Sequence, residues 1–271
     1  MLIRHKGRSK RSFDFILSLY KYKNLVAKLS NVPVLKHIGW RHLDMANTTL
    51  TYVPVYENLE LPAGTAAPVS VIEHFINEAS HHLILSRCPC RSENGCQDHD
   101  PEFGCTFLGP AVRYVDPEVG RLVSKEEALD HLRQATEAGL ISCLGKFKFD
   151  AVMLGVQRDH HDLMTICHCC PCCCLSTAIP YASRETRDTV VKLEGVSIEL
   201  DAEKCNGCGK CVKVCTFKQI EVVDKKAVIG EECKGCGRCA MACKQEAISV
   251  RIDDPTYIEA CVDRIAARVN I

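Results

Sequence analysis

Residues 205–215 read Cys-Asn-Gly-Cys-Gly-Lys-Cys-Val-Lys-Val-Cys, and residues 233–243 read Cys-Lys-Gly-Cys-Gly-Arg-Cys-Ala-Met-Ala-Cys. Both follow one spacing, Cys-x2-Cys-x2-Cys-x3-Cys, and the second starts 28 residues after the first (205 to 233). Ile220 and Ile248 keep the same offset, as do Val222 and Val250, so the segment is an internal duplication. Two residues between successive cysteines allow a compact turn in which three thiolates meet three corners of one cube. Gly207, Gly209, Gly235 and Gly237 let the backbone fold tightly there and turn N–H groups towards sulfur. The fourth cysteine of each run begins a short helix and reaches the other cube.

On this reading Cys205, Cys208, Cys211 and Cys243 hold one [4Fe-4S] cluster, and Cys233, Cys236, Cys239 and Cys215 hold a second. Zinc would also accept four thiolates, but the interleaved pattern favours iron–sulfur. Residues from about Asp201 to Ile252 resemble the bacterial two-cluster [4Fe-4S] ferredoxin. The resemblance implies a pseudo-two-fold ferredoxin-like fold and one-electron redox with all ligands retained. Where that pattern usually has proline after the fourth cysteine, this chain has Thr216 and Lys244, which removes no ligand. Between Asp201 and Ile252 stand 10 Lys/Arg and 7 Asp/Glu, and Lys204, Lys210 and Lys244 adjoin ligands. Nearby cations stabilise the reduced, more negative cluster and raise its potential. This balance is unlike a free acidic carrier and points to an electron-transfer unit built into a larger protein or complex.

The chain has 20 cysteines in 271 residues, so twelve remain. Cys88-Pro89-Cys90-Arg91 is followed by Cys96 and Cys105 in a Gly/Asp/Asn-rich loop, and residues 167–174 read Cys-His-Cys-Cys-Pro-Cys-Cys-Cys. A buried apolar strand would use Val or Ile there, and neighbouring residues point apart, which makes disulfides within the run geometrically poor. Metal or redox chemistry is the remaining purpose. Alternation in an extended segment groups Cys167 with Cys169, or Cys170 with Cys172 and Cys174. Cys88, Cys90, Cys96 and Cys105 are enough for one cubane, and adding Cys167, Cys169, Cys170, Cys172, Cys173 and Cys174 gives ten thiolates. They would serve one or two additional Fe–S clusters, or one larger one. Cys143 and Cys261 stand apart, on or beside apolar helices, as small buried hydrophobes.

These upstream residues carry a wider resemblance, over about residues 50–252. The chain is similar to anaerobic-type 4Fe-4S dicluster proteins that share a C-x-C-R segment, Gly104-Cys105-Thr106-Phe107-Leu108-Gly109, a Gly-Arg-Leu-Val and Glu-Glu-Ala-Leu helix start, and the Ile-Cys-x-Cys-Cys-x-Cys-Cys-Cys run. The resemblance implies an anaerobic Fe–S redox setting and names no substrate. Asn is common in that family where this chain has His168, so the resemblance gives His168 no ligand role.

Lys+Arg and Asp+Glu are 34 each, but the halves differ: residues 1–48 hold 10 basic and 2 acidic residues, and residues 49–271 hold 24 and 32. The basic arm, including Arg4, Lys6, Arg8, Lys10 and Arg11, carries an amphipathic helix with Phe13, Ile16, Leu17, Tyr20, Leu25 and Leu29. It suits docking to a redox partner or a larger oxidoreductase complex, or peripheral contact with an anionic membrane. No 18-residue apolar run spans a membrane, and no nucleic-acid motif accompanies the charge. The stretch after Phe13 is broken by Lys21 and Lys23, with no cleavage site after it, so a cytoplasmic protein with reduced thiols is expected.

Pro54, Pro62, Gly64 and Pro68 mark a linker. Ser70 with Glu73 reads as a capping box for a helix carrying Ile72, Phe75, Ile76, Ala79 and Leu83, with His74, His81 and His82 on it. Ser124 with Glu127 opens a second helix, with Ala128, Leu129, Leu132 and Ala135, which Gly139 ends. Ile258, Cys261, Val262, Ile265 and Val269 form the face of a last helix. His160 and His161 read as exposed loop residues. The expected class is α+β: a basic arm and linker (1–68), a Cys-rich helical module with an additional cluster (69–185), a two-cluster ferredoxin-like domain (186–252) and a C-terminal helix (253–271).

No nucleophile elbow, Walker A loop or dinucleotide fingerprint is present. The leading function is an iron–sulfur electron-transfer protein, a subunit of an anaerobic oxidoreductase complex. An enzyme reducing a disulfide or small electrophile at Cys167–Cys174, with the ferredoxin segment as internal wire, is the rival. A metal-handling protein with a transient thiol store is the third reading.

Overall fold

Seven short strands form the centre of the computed structural model, which describes residues 7–54, 59–61 and 65–271, without the side chains of Trp40 and Glu60. Arg4 and Lys6 of the arm, and Pro62 and Gly64 of the linker, lie outside these residues. The first eight strands in chain order are β1 (Thr49–Val53), β2 (Leu59–Glu60), β3 (His82–Leu85), β4 (Thr106–Leu108), β5 (Gly120–Val123), β6 (Ile141–Lys146), β7 (Met164–Cys169) and β8 (Val190–Val191). All but β2 join one sheet in the order β5-β3-β4-β7-β6-β1-β8, antiparallel except for the β1/β8 pair.

The segment expected to be a helical module instead mixes helices with β3 to β7, and the sheet crosses both expected boundaries, taking β1 from the arm and β8 from the next segment. The cause is burial on two faces. β3, β4 and β6 are buried at every residue, so they lack the period-two pattern that marks a half-exposed strand.

The helices in chain order are α1 (Lys10–Leu17), α2 (Lys23–Leu29), α3 (Pro33–His42), α4 (Val69–Glu78), α5 (Pro89–Glu93), α6 (Lys125–Glu137), α7 (Lys148–Leu154) and α8 (Arg184–Asp188). α4 starts one residue before Ser70, with Pro68 at its N-cap and no side-chain cap, so the Ser70 box is not formed. It ends at Glu78; Leu83 and His82 belong to β3, and His82 Nε2 meets the Ile76 carbonyl at 2.7 Å. The Ser124–Glu127 box is formed, with reciprocal bonds of 3.1 and 3.0 Å, and Gly139 follows the helix at φ +70°.

The duplicated region adds β9 (Val196–Leu200), α9 (Lys210–Val214), β10 (Ile220–Val223), β11 (Lys226–Ile229), α10 (Arg238–Met241) and β12 (Ile248–Ile252). β12 lies between β9, antiparallel, and β2, parallel; β10 and β11 form a hairpin. The last helix, α11 (Tyr257–Ala266), buries Tyr257, Cys261 and Ile265, and Val269 is buried beyond its end. One continuous apolar core joins α4, α6 and α11 to Val53, Leu108, Leu144, Met164 and Ile166 on one face of the sheet and to Ile220, Ile248 and Val250 of the duplicated region. The other face carries Tyr52, Leu83, Leu85, Phe107 and Cys143, covered by α1 and α7.

Candidate metal centres

Each cysteine run closes on a small cavity. Cys205, Cys208 and Cys211 share theirs with Cys243 of the other run, and Cys233, Cys236 and Cys239 share theirs with Cys215. Gly207, Gly209, Gly235 and Gly237 all adopt left-handed φ values of 66–77°, which a side chain would resist. Backbone N–H groups point at sulfur: Ala227 donates to Cys205 Sγ at 3.5 Å, Gln219 to Cys215 Sγ at 3.3 Å and Ala247 to Cys243 Sγ at 3.3 Å. These bonds from Ala227 and Gly207 hold the Cys205 thiol below its usual range. Residues 197–244 match the family described as 4Fe-4S dicluster domain.

This segment is a 4Fe-4S dicluster domain.

Neither a curated protein nor a solved structure matches the chain. The donors of the dicluster domain fit the iron–sulfur clusters that its family implies: four thiols per cavity, left-handed glycines and N–H donors to sulfur. Cys208 is exposed, so the first cavity reaches the surface, while Cys236 and Cys215 pack inward against Tyr52, Cys169 and Cys174. Sequence reasoning singled out Lys204, but Lys204 is exposed and turns to Asp201 at 3.5 Å. Lys210 lines the first cavity, and Lys226 Nζ donates to the Cys205 carbonyl at 2.7 Å.

The ten upstream thiols separate into six and four. Cys88, Cys90, Cys105, Cys167, Cys169 and Cys174 form a ring in one cavity under the sheet, whose lining Cys170 of the second group also reaches. Each neighbours two others, in the closed order Cys88–Cys90–Cys174–Cys169–Cys167–Cys105. Cys167 and Cys169 project from one face of β7, as alternation predicts. Cys88 caps α5, where Pro89 fixes the first turn, and its N–H donates to the Pro101 carbonyl at 2.7 Å. Gly104 lets the next strand pass β3, because a Cβ there would stand 2.0 Å from the Leu85 carbonyl oxygen. Cys88 and Cys174 are held well below the usual thiol range by hydrogen bonding with neighbouring thiols, chiefly Cys105 for the first and Cys169 for the second, with Cys90 between them. Cys90, Cys105, Cys167 and Cys169 are pushed up.

Cys96, Cys170, Cys172 and Cys173 form the second group. The expected set Cys88, Cys90, Cys96 and Cys105 is therefore divided, and so is Cys170, Cys172 and Cys174. The chain leaves the extended form after Cys169, so alternation stops there. Cys143 lies on β6 rather than beside a helix, and lines the six-thiol cavity with Tyr52 donating to it. Cys261 packs inside α11, near Arg264 Nη2 at 3.4 Å.

Several residues at these centres carried no sequence signal. Tyr20 of the arm lines the six-thiol cavity and donates to Met153 Sδ at 3.4 Å. Asp150 also lines it; burial pushes its carboxyl up to about 7, with Thr165 Oγ1 donating at 2.6 Å. Arg238 is buried and its Nη2 donates to the Cys169 carbonyl at 2.7 Å, tying the dicluster domain to β7. Tyr52 meets Phe217 edge to face at 5.1 Å across the same boundary. His168 lies on the opposite face of β7 from the thiols, its ring near Ser142 Oγ at 3.2 Å and Thr106 Oγ1 at 3.3 Å.

His161 is exposed as expected, but His160 is half-buried, and burial lowers its pKa to about 4. Buried Lys146 stands beside both, 2.9 Å from His161 Nδ1 and 3.5 Å from Asp44 Oδ2. The arm divides by face. Phe13, Leu17 and Tyr20 are buried, and Lys23 Nζ donates to the Cys173 and Cys174 carbonyls. Phe15, Leu25, Val26, Val34 and Ile38 are exposed. Among the described residues no helix is long and apolar enough to cross a membrane.

Proposed function

We propose that the protein transfers electrons through two [4Fe-4S] clusters of the dicluster domain and one further cluster held by the six-thiol ring. One cluster is held by Cys205, Cys208, Cys211 and Cys243, and the other by Cys215, Cys233, Cys236 and Cys239. Such clusters supply one-electron redox chemistry when bound. The observation that carries the reading is the packed boundary between the second dicluster cavity and the ring, where Cys215 and Cys236 lie in one apolar cluster with Cys169 and Cys174. Apolar cover of this kind excludes water from the path and lowers the local dielectric. Exposed Cys208 puts the first cavity where an external partner can exchange electrons. The ring cavity is larger than either dicluster cavity, about 70 Å³ against about 20 Å³ each. Its six donors exceed the four terminal positions of one cubane, which supports a cluster larger than a cubane. The thiols of the ring are buried or half-buried behind Tyr20, Tyr52 and Phe107, which favours electron relay over reduction of a substrate there.

Anaerobic purification with iron and acid-labile sulfide counts, read with EPR, tests the proposal. More than eight irons per chain is the expected result, and about eight would leave only two cubanes and overturn the third centre. Arg238→Met should lower the potential of the neighbouring cluster by about 60 mV, the one-electron equivalent of about 1.4 kcal/mol, because a cation beside it favours the reduced form. An EPR-monitored redox titration that shows no shift would remove Arg238 from the relay.

The exposed face of α2 and α3 is the proposed docking surface for a larger oxidoreductase complex. Leu25, Val26, Val34 and Ile38 of these two helices are all exposed, and exposed apolar side chains gathered on one element pair suit a protein contact. Substituting Val26 and Ile38 with glutamate is expected to move the protein from a large assembly to the elution position of a single chain in anaerobic extracts. Unchanged elution would exclude this face as the contact.

A further inference from the structure

We propose that Cys96, Cys170, Cys172 and Cys173 bind one zinc ion as a tetrahedral tetrathiolate, with a ligand set distinct from the six-thiol ring and from the dicluster quartets. The four Sγ atoms all lie within 4.8 Å of one another, and Cys96 and Cys172 approach to 3.5 Å. Zinc–sulfur bonds of about 2.3 Å place tetrahedral sulfurs about 3.8 Å apart. A cubane binds each thiolate to a different iron, so its four sulfurs are spread around the cube. Neither dicluster quartet, among the described residues, is drawn together as tightly as these four.

The backbone supports the same ligand. Cys173 N–H donates to Cys170 Sγ at 3.4 Å, and the N–H groups of Asp98 and His99 donate to Cys96. Two short turns thus present thiolates with N–H groups directed at sulfur, which stabilises their negative charge. The site joins the irregular 94–103 loop to the turn after β7. Its neighbours in sequence, Cys169 and Cys174, belong to the ring, so a closed zinc site there fixes the geometry of the redox centre without carrying electrons. Zinc has no redox chemistry and prefers closed four-coordinate sites in structural roles. The inference does not depend on what the six-thiol ring holds.

Metal analysis and zinc-edge X-ray absorption of the full chain, purified anaerobically, test it. One zinc per chain with four sulfurs at about 2.3 Å is expected. Zinc well below one per chain overturns the proposal. The double variant C96S/C172S removes the two more exposed ligands, and it should lose the zinc while keeping the EPR signals of the dicluster domain. Retention of zinc by that variant places the ion elsewhere. A loss of about four irons and four sulfides without any change in zinc identifies a cubane instead.

Discussion

Replacing Cys169 with serine is expected to empty the six-thiol ring and leave both clusters of the dicluster domain loaded. Cys169 sits between Cys167 and Cys174 in the ring, so its loss opens the circle of donors at one point. A serine hydroxyl is a poor substitute, because the thiolate is the form that binds iron and a hydroxyl does not ionise in this range. The side chain is buried and the substitution is nearly isosteric, so the fold should persist. The Arg238 bond goes to the Cys169 carbonyl, which the substitution leaves in place. Iron should therefore fall to about eight per chain, with the EPR signals of two interacting cubanes retained. Cys261→Ser is the control: Cys261 is fully buried in α11 among apolar residues, so that variant should lose stability without losing iron. An unchanged iron count in the Cys169 variant would show that the ring holds no cluster.

The dicluster domain was legible because its ligand spacing is local. Three of four donors in each cavity lie within seven residues, and the glycines between them mark the turns. The helix from Ser124 was legible for the same reason, its cap and stop both lying in adjacent sequence. The sheet was not. Its strands are short, β3, β4 and β6 are buried on both faces, and they join in an order, β5-β3-β4-β7-β6-β1-β8, that no local pattern encodes. The division of the upstream thiols follows from that order. β4 and β7 are neighbours, which brings Cys105 beside Cys167 although 62 residues separate them (105 to 167). Cys96 lies between Cys90 and Cys105 in sequence, but its loop turns the other way. Leu83 joined a strand rather than a helix because its apolar spacing fits either form over so short a run.

Arg91 explains why an arginine follows the Cys-x-Cys pair, and its replacement by methionine should be the most damaging single change upstream. The side chain is about 1% exposed, yet it carries a full charge. Its Nε donates to the Asp100 carbonyl at 2.8 Å, Nη1 to the His168 carbonyl at 2.8 Å, and Nη2 to the Phe103 carbonyl. One planar group thus ties the Cys96 loop, the approach to Cys105 and strand β7 together. Its charge also faces Cys88, Cys105, Cys170 and Cys169, where it offsets the negative thiolates of both upstream centres. Methionine fills similar volume but removes the guanidinium bonds to all three carbonyls, of which the Asp100 carbonyl keeps the Phe103 N–H, and a buried carbonyl left without a donor costs about 1–3 kcal/mol. Breaking a buried charged network costs about 3–5 kcal/mol. Thermal unfolding followed anaerobically by circular dichroism should show that loss, and metal analysis should show both upstream centres emptied with the dicluster irons retained. Lysine should not rescue it, since one ammonium on a flexible stem cannot serve three carbonyls set in different directions. Full metal content and wild-type stability in Arg91→Lys would mean that charge alone, rather than the fork of donors, holds the two centres together.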